Sequence, residues 1–179
     1  MKTPPLVIIS GPSGVGKGTI IKHSLSQLSN IQLGISATTR PKRKTEEDGK
    51  DYFFLDDATF DRYIEEDAFI EWCTVHRHKY GTLKSEYKNA CQKKKLLLIE
   101  IDVQGANKII NKFSSAISIF IEPPSLEILK ERLEIRNSET PEEIRARLKV
   151  AKEELSFKNK YTHIVQNNDI KKASQNLID

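Results

Sequence analysis

Leu6-Val7-Ile8-Ile9-Ser10-Gly11-Pro12-Ser13-Gly14-Val15-Gly16-Lys17-Gly18-Thr19 decides the fold. Four apolar residues lead into a glycine-rich turn. From Lys17 onward, Ile20, Ile21, Leu25 and Leu28 fall on one helical face. A strand, a glycine turn and a helix in that order make an anion cradle. Glycines adopt backbone angles that other residues avoid, so main-chain N–H groups converge on phosphate oxygens. The helix start adds partial positive charge, and Lys17 brings a mobile full charge for β- and γ-phosphates. Glycine, four residues, glycine, lysine also occurs in ordinary tight turns. Its place between an apolar strand and an amphipathic helix selects the phosphate-binding reading. The candidate triphosphate residues are therefore Gly11, Pro12, Ser13, Gly14, Val15, Gly16, Lys17, Gly18 and Thr19. After the lysine such loops usually carry Ser or Thr, whose hydroxyl meets Mg²⁺. Here the residue is Gly18, so either Thr19 takes part or water completes the metal shell, as Mg²⁺ readily allows.

Outward from this loop, apolar runs alternate with helical patterns. Leu96-Leu97-Leu98-Ile99 and Ile117 to Ile121 read as buried strands, and His163-Ile164-Val165 as a weaker one. Continuous rather than alternating hydrophobicity implies burial on both faces, hence a parallel sheet between helices. Helical stripes follow at Val103, Ala106, Ile110 and Phe113, at Leu126, Leu129 and Leu133, and at Ile144, Leu148, Ala151 and Leu155. The last helix opens on Thr140-Pro141-Glu142-Glu143, a capping box with proline in the first turn. Residues 35 to 90 break the rhythm. They hold a charged loop, strand candidates at Tyr52-Phe53-Phe54-Leu55 and Phe69 to Val75, and a helix near Ala58 to Glu65. This reads as a mixed α/β insertion that could close a cleft.

The 179 residues suffice for one domain with a small inserted lobe. No apolar run reaches membrane-spanning length, and no signal peptide is expected from residues 1–9. Two cysteines, Cys73 and Cys91, make neither a disulfide framework nor a four-ligand zinc site, so a reducing cytoplasmic compartment is expected. His23, His76, His78 and His163 show no metal-ligand spacing. Basic and acidic residues number 29 and 25, and a net charge of +4 does not announce a nucleic-acid binder. The basic residues cluster at Arg40 to Lys44, His76 to Lys79 and Lys93 to Lys95, as local anion sites or solvated loops. The chain stops at Asp179 soon after its last helix candidate, so no docking tail is expected.

Several further motifs occur in a telling order: Ser36-Ala37-Thr38-Thr39-Arg40-Pro41-Lys42-Arg43, Asp48-Gly49-Lys50-Asp51-Tyr52-Phe53-Phe54, Phe69-Ile70-Glu71-Trp72, Tyr80-Gly81-Thr82 and Glu100-Ile101-Asp102-Val103-Gln104-Gly105. From the phosphate loop through Asn167 the chain resembles the guanylate kinases, which phosphorylate GMP from ATP. The resemblance implies a P-loop three-layer α/β sandwich with a parallel sheet core. It comprises residues 1–34, 84–132 and 158–179, a GMP-binding lobe at 35–83 and a small helical lid at 133–157. By the same resemblance Ser36, Arg40, Arg43, Tyr52, Glu71, Tyr80, Thr82 and Asp102 form the GMP site. The chemistry agrees: guanine presents N1–H and N2–H₂ donors beside an O6 acceptor, which carboxylates and a hydroxyl complement. Arginine forks and tyrosine hydroxyls suit the acceptor phosphate. Asp102 ends an apolar strand, where open α/β sheets place ligands, and would serve the base, the Mg²⁺ shell, or both.

Arg132 and Arg136 are four apart and share a helix face, and Arg147 borders the next helix's apolar stripe. Guanylate kinases close matching arginines over the triphosphate. The resemblance therefore makes Lys17, Arg136 and Arg147 catalytic, adds Arg132, Arg136 and Asn167 to the ATP site, and places a hinge at Asn137. Implied partners are ATP with Mg²⁺ and GMP, with no nucleic-acid polymer or membrane; oligomeric state is left open. Two other readings compete. One is an inactive guanylate-kinase-like peptide-binding module, disfavoured by the intact loop and lid arginines. The other is a kinase for another monophosphate such as AMP, disfavoured by Ser36 with Glu71 and Asp102. A GTPase lacks its Asn-Lys-x-Asp segment here.

Overall fold

The computed structural model describes residues 6–75, 77–113, 115–135 and 140–179. In chain order its elements are β1 (Leu6–Ser10), α1 (Lys17–Leu25), β2 (Ile31–Leu33), β3 (Ser36–Thr38), β4 (Phe53–Phe54), α2 (Asp57–Glu65), β5 (Phe69–Val75), β6 (His78–Leu83) and α3 (Lys84–Gln92). They continue with β7 (Leu96–Glu100), α4 (Val103–Lys112), β8 (Ile117–Glu122), α5 (Leu126–Ile135), α6 (Pro141–Leu155), β9 (His163–Gln166) and α7 (Ile170–Ile178).

The first sheet has the order β2-β7-β1-β8-β9, and every pairing is parallel. The strand β1 is fully buried because helices cover both of its faces. Leu6 and Ile8 join Leu97, Ile99 and Phe120 under α3 and α4. Val7 and Ile9 join Leu98, Ile119 and Ile121 under α1 and α7. The period-two alternation of a strand thus splits one apolar run between two cores. In α4 the inward face is Val103, Ala106 and Ile109, while Phe113 stands just past the helix and is exposed. The stripe expected through Ile110 and Phe113 is therefore rotated toward Ile109.

Residues of the inserted lobe form a second sheet, β4-β3-β6-β5, with antiparallel pairs at β3–β6 and β5–β6. It carries its own small core of Ala37, Phe60 and Phe69, with Phe60 and Phe69 stacked 4.5 Å apart. Helices α5 and α6 pack on each other through Leu129, Leu133, Ile144 and Ala151. The capping box of α6 forms as read: Thr140 Oγ1 accepts from Glu143 N, and Glu143 Oε2 from Thr140 N.

Candidate active site

The phosphate loop sits where β1 ends between β7 and β8, the two strands that the chain reaches by opposite crossovers. Such a switch point leaves a crevice beyond the strand ends. The loop needs glycine at two places for distinct reasons. At Gly11 (φ +145) a Cβ would lie 2.2 Å from the Ile121 carbonyl oxygen. At Gly16 (φ +97), the residue before α1, it would lie 2.7 Å from Asn167 Nδ2.

Lys17 folds back over this loop, and its Nζ donates to Gly11 O at 2.6 Å and Pro12 O at 3.1 Å. From below, Asn167 Nδ2 donates to Val15 O at 2.7 Å. Arg132 donates to Val15 O at 3.3 Å and to Asn167 O at 2.9 Å. These two residues tie the loop to α5 and to the end of β9. Arg147 reaches the loop from α6, with Nη1 3.3 Å from Ser13 Oγ. Thr19 is exposed on the first turn of α1. Arg136 and Asn137 lie outside the described residues, as does His76.

Strand register assembles the second half of the candidate site. Ser36 on β3 pairs with Thr82 on β6, which pairs in turn with Glu71 on β5. Residues far apart in sequence thus form one row across the sheet. An irregularity between Phe69 and Glu71 shifts the register there, as a bulge does when it re-aims a side chain. Glu71 is 6% exposed, and its Oε1 accepts from Thr82 N at 3.1 Å and from Thr82 Oγ1 at 2.9 Å. Burial pushes its carboxyl up to about 7; the Thr82 hydrogen bonds oppose the shift and the Asp102 charge adds to it. Asp102 caps α4, its Oδ1 accepting from Gly105 N at 2.8 Å, while its Oδ2 accepts from Cys73 Sγ at 2.9 Å. Gly105 lets the two carboxylates approach, because a Cβ there would lie 2.8 Å from Glu71 Oε2.

A second row, Thr38, Tyr80 and Cys73, lies beside the first. The rings of Tyr80 and Tyr52 meet edge to face at 6.2 Å, and Arg40 lies over the Tyr52 ring at 5.3 Å. Arg43 is far more exposed than Arg40. The site therefore gathers an anion loop, a pair of adjoining carboxylates beside two hydroxyls, and an arginine–tyrosine group.

The sequence profile of guanylate kinase matches residues 3–179. The chain belongs to the guanylate kinase family. It is 46% identical over 172 residues to the guanylate kinase of Caldanaerobacter subterraneus subsp. tengcongensis, covering 96% of this chain and 84% of that one. It is 42% identical over 173 residues to that of Thermotoga maritima, covering 97% and 84%. The crystal structure of guanylate kinase from Anaplasma phagocytophilum superposes with a TM-score of 0.81 at 32% identity, covering 98% of this chain and 83% of that one. A shikimate kinase from Bacteroides thetaiotaomicron, at 13% identity and TM-score 0.51, covering 97% and 95%, shares the fold alone.

This member of the guanylate kinase family has a further carboxylate that motif reading passes over. Glu100 ends β7, and its Oε2 lies 3.7 Å from where a Cβ on Gly18 would stand. Burial raises its carboxyl and the Lys17 charge opposes that shift. Its signal in the sequence is position: like Asp102, it closes the apolar run of a core strand facing the crevice.

Proposed function

We propose that this protein transfers the γ-phosphate of ATP to GMP, giving ADP and GDP. The single observation that carries the reading is the row Ser36–Thr82–Glu71 joined through Cys73 and Gly105 to Asp102, just past the end of β7, the strand paired with the one that leads into the phosphate loop. Glu71 and Asp102 accept from guanine N1–H and N2–H₂, and Ser36 donates to O6. Adenine offers a lone pair where guanine has N1–H, so an ionised carboxylate there rejects it. Arg40, Arg43, Tyr52 and Tyr80 hold the acceptor phosphate and mask its charge. The loop and Lys17 hold the β- and γ-phosphates, and Arg136 and Arg147 close over them from the lid. Lobe 35–83 and lid 133–157 close on core 1–34, 84–132 and 158–179, excluding water that would otherwise hydrolyse ATP. An acceptor oxygen then attacks the γ-phosphorus in line, with no covalent enzyme intermediate, because positioning and charge neutralisation do most of the work.

The donors here are hard oxygens, which suit Mg²⁺. Glu100, Thr19 and Asp102 would hold it, Glu100 reaching toward the space that Gly18 leaves without a side chain. When bound, Mg²⁺ would supply positive charge that offsets the charge of the phosphates during transfer. Free thiols at Cys73 and Cys91 suit a reducing, cytoplasmic setting. Among the described residues no helix is long and apolar enough to cross a membrane.

With Mg·ATP and a panel of GMP, dGMP, AMP and UMP, a coupled ADP-release assay is expected to show GDP formation. GMP should be favoured over AMP and UMP by a factor on the order of 10² or more. Folded protein that makes no GDP overturns the reading.

The position of Glu71 also sets a pH dependence. Guanine needs the ionised form, so kcat/KM for GMP should rise with pH through about 7. A monoester phosphate titrates near ~6 on its own, so the profile is compared with Glu71→Gln, which should lack the upper step. Identical profiles would remove Glu71 from the base site. For folding the sign is opposite. With its native pKa raised, Glu71 holds its proton in the native state where the unfolded chain has lost it. Its contribution to stability therefore falls as pH rises from 4.5 to about 7.

A further inference from the structure

Arg40, assigned above to the acceptor phosphate, already holds a carboxylate by one edge. Its Nη2 donates to Glu46 Oε1 at 2.8 Å and its Nη1 to Glu46 Oε2 at 2.9 Å. Nη1 donates further to Pro41 O at 2.8 Å. The same Glu46 Oε2 accepts the backbone N–H of Arg43 at 2.8 Å, closing the turn that carries the second arginine. The Glu46 and Arg40 side chains are 14% and 15% exposed, so this is a largely enclosed pair rather than a loose surface contact. Its carboxyl is held below the ordinary range, chiefly by the hydrogen bond from Arg40.

A guanidinium has five N–H bonds in a rigid plane. The contacts to Glu46 and Pro41 use both bonds of Nη1 and one of Nη2. The bonds that remain, Nε–H and the second on Nη2, share the other edge, which is a fork of the shape that a phosphate takes. The plane is steadied over the rings of Tyr52 and Phe54, at 5.3 and 5.6 Å, and the Tyr80 hydroxyl stands within reach of the same group.

We propose that Glu46 is a positioning residue for the acceptor phosphate: it grips one edge of Arg40 and the turn bearing Arg43, so that the opposite edge of Arg40 is aimed in advance at a phosphate monoester. The inference rests on the acceptor-site reading. Two effects oppose each other. A carboxylate repels an incoming phosphate, but the guanidinium lies between the two anions, and a long side chain already held in place loses little freedom on binding. The enclosed two-edge geometry favours the second effect.

Guanosine, which lacks the phosphate, separates the two. Dissociation constants for GMP and guanosine are measured by calorimetry on wild type, Glu46→Ala and Glu46→Gln. In wild type, GMP should bind at least a hundredfold tighter than guanosine. In Glu46→Ala, GMP binding should weaken at least tenfold while guanosine binding stays within twofold, so the ratio falls about tenfold. Glu46→Gln keeps one acceptor oxygen but not the charge and should lose about threefold. A ratio unchanged or increased in Glu46→Ala overturns the proposal, since Glu46 would then be inert or a competitor of the phosphate. Should that variant not fold, an unchanged ratio in Glu46→Gln overturns it equally. A wild type that binds GMP no better than guanosine instead removes the acceptor-site reading on which the proposal stands.

Discussion

Lys17→Ala is expected to lower turnover of ATP and GMP by a factor on the order of 10³, with the protein still folded. The ammonium lies on the Gly11 and Pro12 carbonyls, at 2.6 and 3.1 Å, and so is already at the mouth of the loop. In the proposed reaction a short swing would bring it to the β- and γ-phosphates, where negative charge shifts during transfer. Its stabilisation is therefore concentrated in the transition state, and the loss should appear in kcat more than in either KM. Fold should survive. The loop is held independently by Asn167 and Arg132 on Val15 O, and its glycines pack on β8 and Asn167. Circular dichroism and a melting curve check the fold, and the coupled assay reads the rate. Near-normal turnover would strip Lys17 of its role.

Glu71→Gln is expected to cut kcat/KM for GMP by about 10²–10⁴, with KM for ATP changed little. Thr82 takes Glu71 Oε1 through both its N–H and its hydroxyl. In the variant the amide oxygen takes that place, because only an oxygen can accept. The NH₂ group is then left on the side of the base, donor facing donor. The charge-assisted hydrogen bond to the remaining oxygen, worth about 1.5–3 kcal/mol, is lost, the unpaired donors cost about 1–3 kcal/mol more, and every 1.4 kcal/mol is about a factor of ten. Discrimination against AMP should shrink in parallel. Steady-state kinetics with each nucleotide varied separately gives the answer, and equal losses for ATP and GMP would argue against base reading.

Both predictions draw on residues that were legible from sequence for different reasons. The phosphate loop declares itself locally, since the strand before it, the glycines within it and the helix after it are contiguous. The members of the acceptor row are not contiguous. Family resemblance alone singles out Ser36, Glu71 and Thr82, and nothing in their spacing says that they adjoin. The strands that bring them together were partly hidden. The β3 strand has three residues, and β6 reads His-Lys-Tyr-Gly-Thr-Leu, a polar run whose pairing comes from its neighbours rather than from its own propensity. Edge strand β2 and helix α3 leave little trace in the sequence as well. The first is three residues long, and the second carries polar residues with only Glu86 and Ala90 buried.

Glu46 and Glu100 show the same limit from the side of the site. Each is an ordinary acidic residue in the sequence, one inside a charged loop and one at a strand end. Only the folded chain sets Glu46 against Arg40 and Glu100 beside Gly18. Sequence alone determined what depends on neighbours along the chain: the anion loop, the two-face burial of its strand, the capped helix α6 and the class of fold. The tertiary structure decided which carboxylate meets which hydroxyl, guanidinium or thiol. Those distances depend on strand register and on a lobe packed against the core, and long-range contacts of that kind leave no periodic trace in the residues that make them.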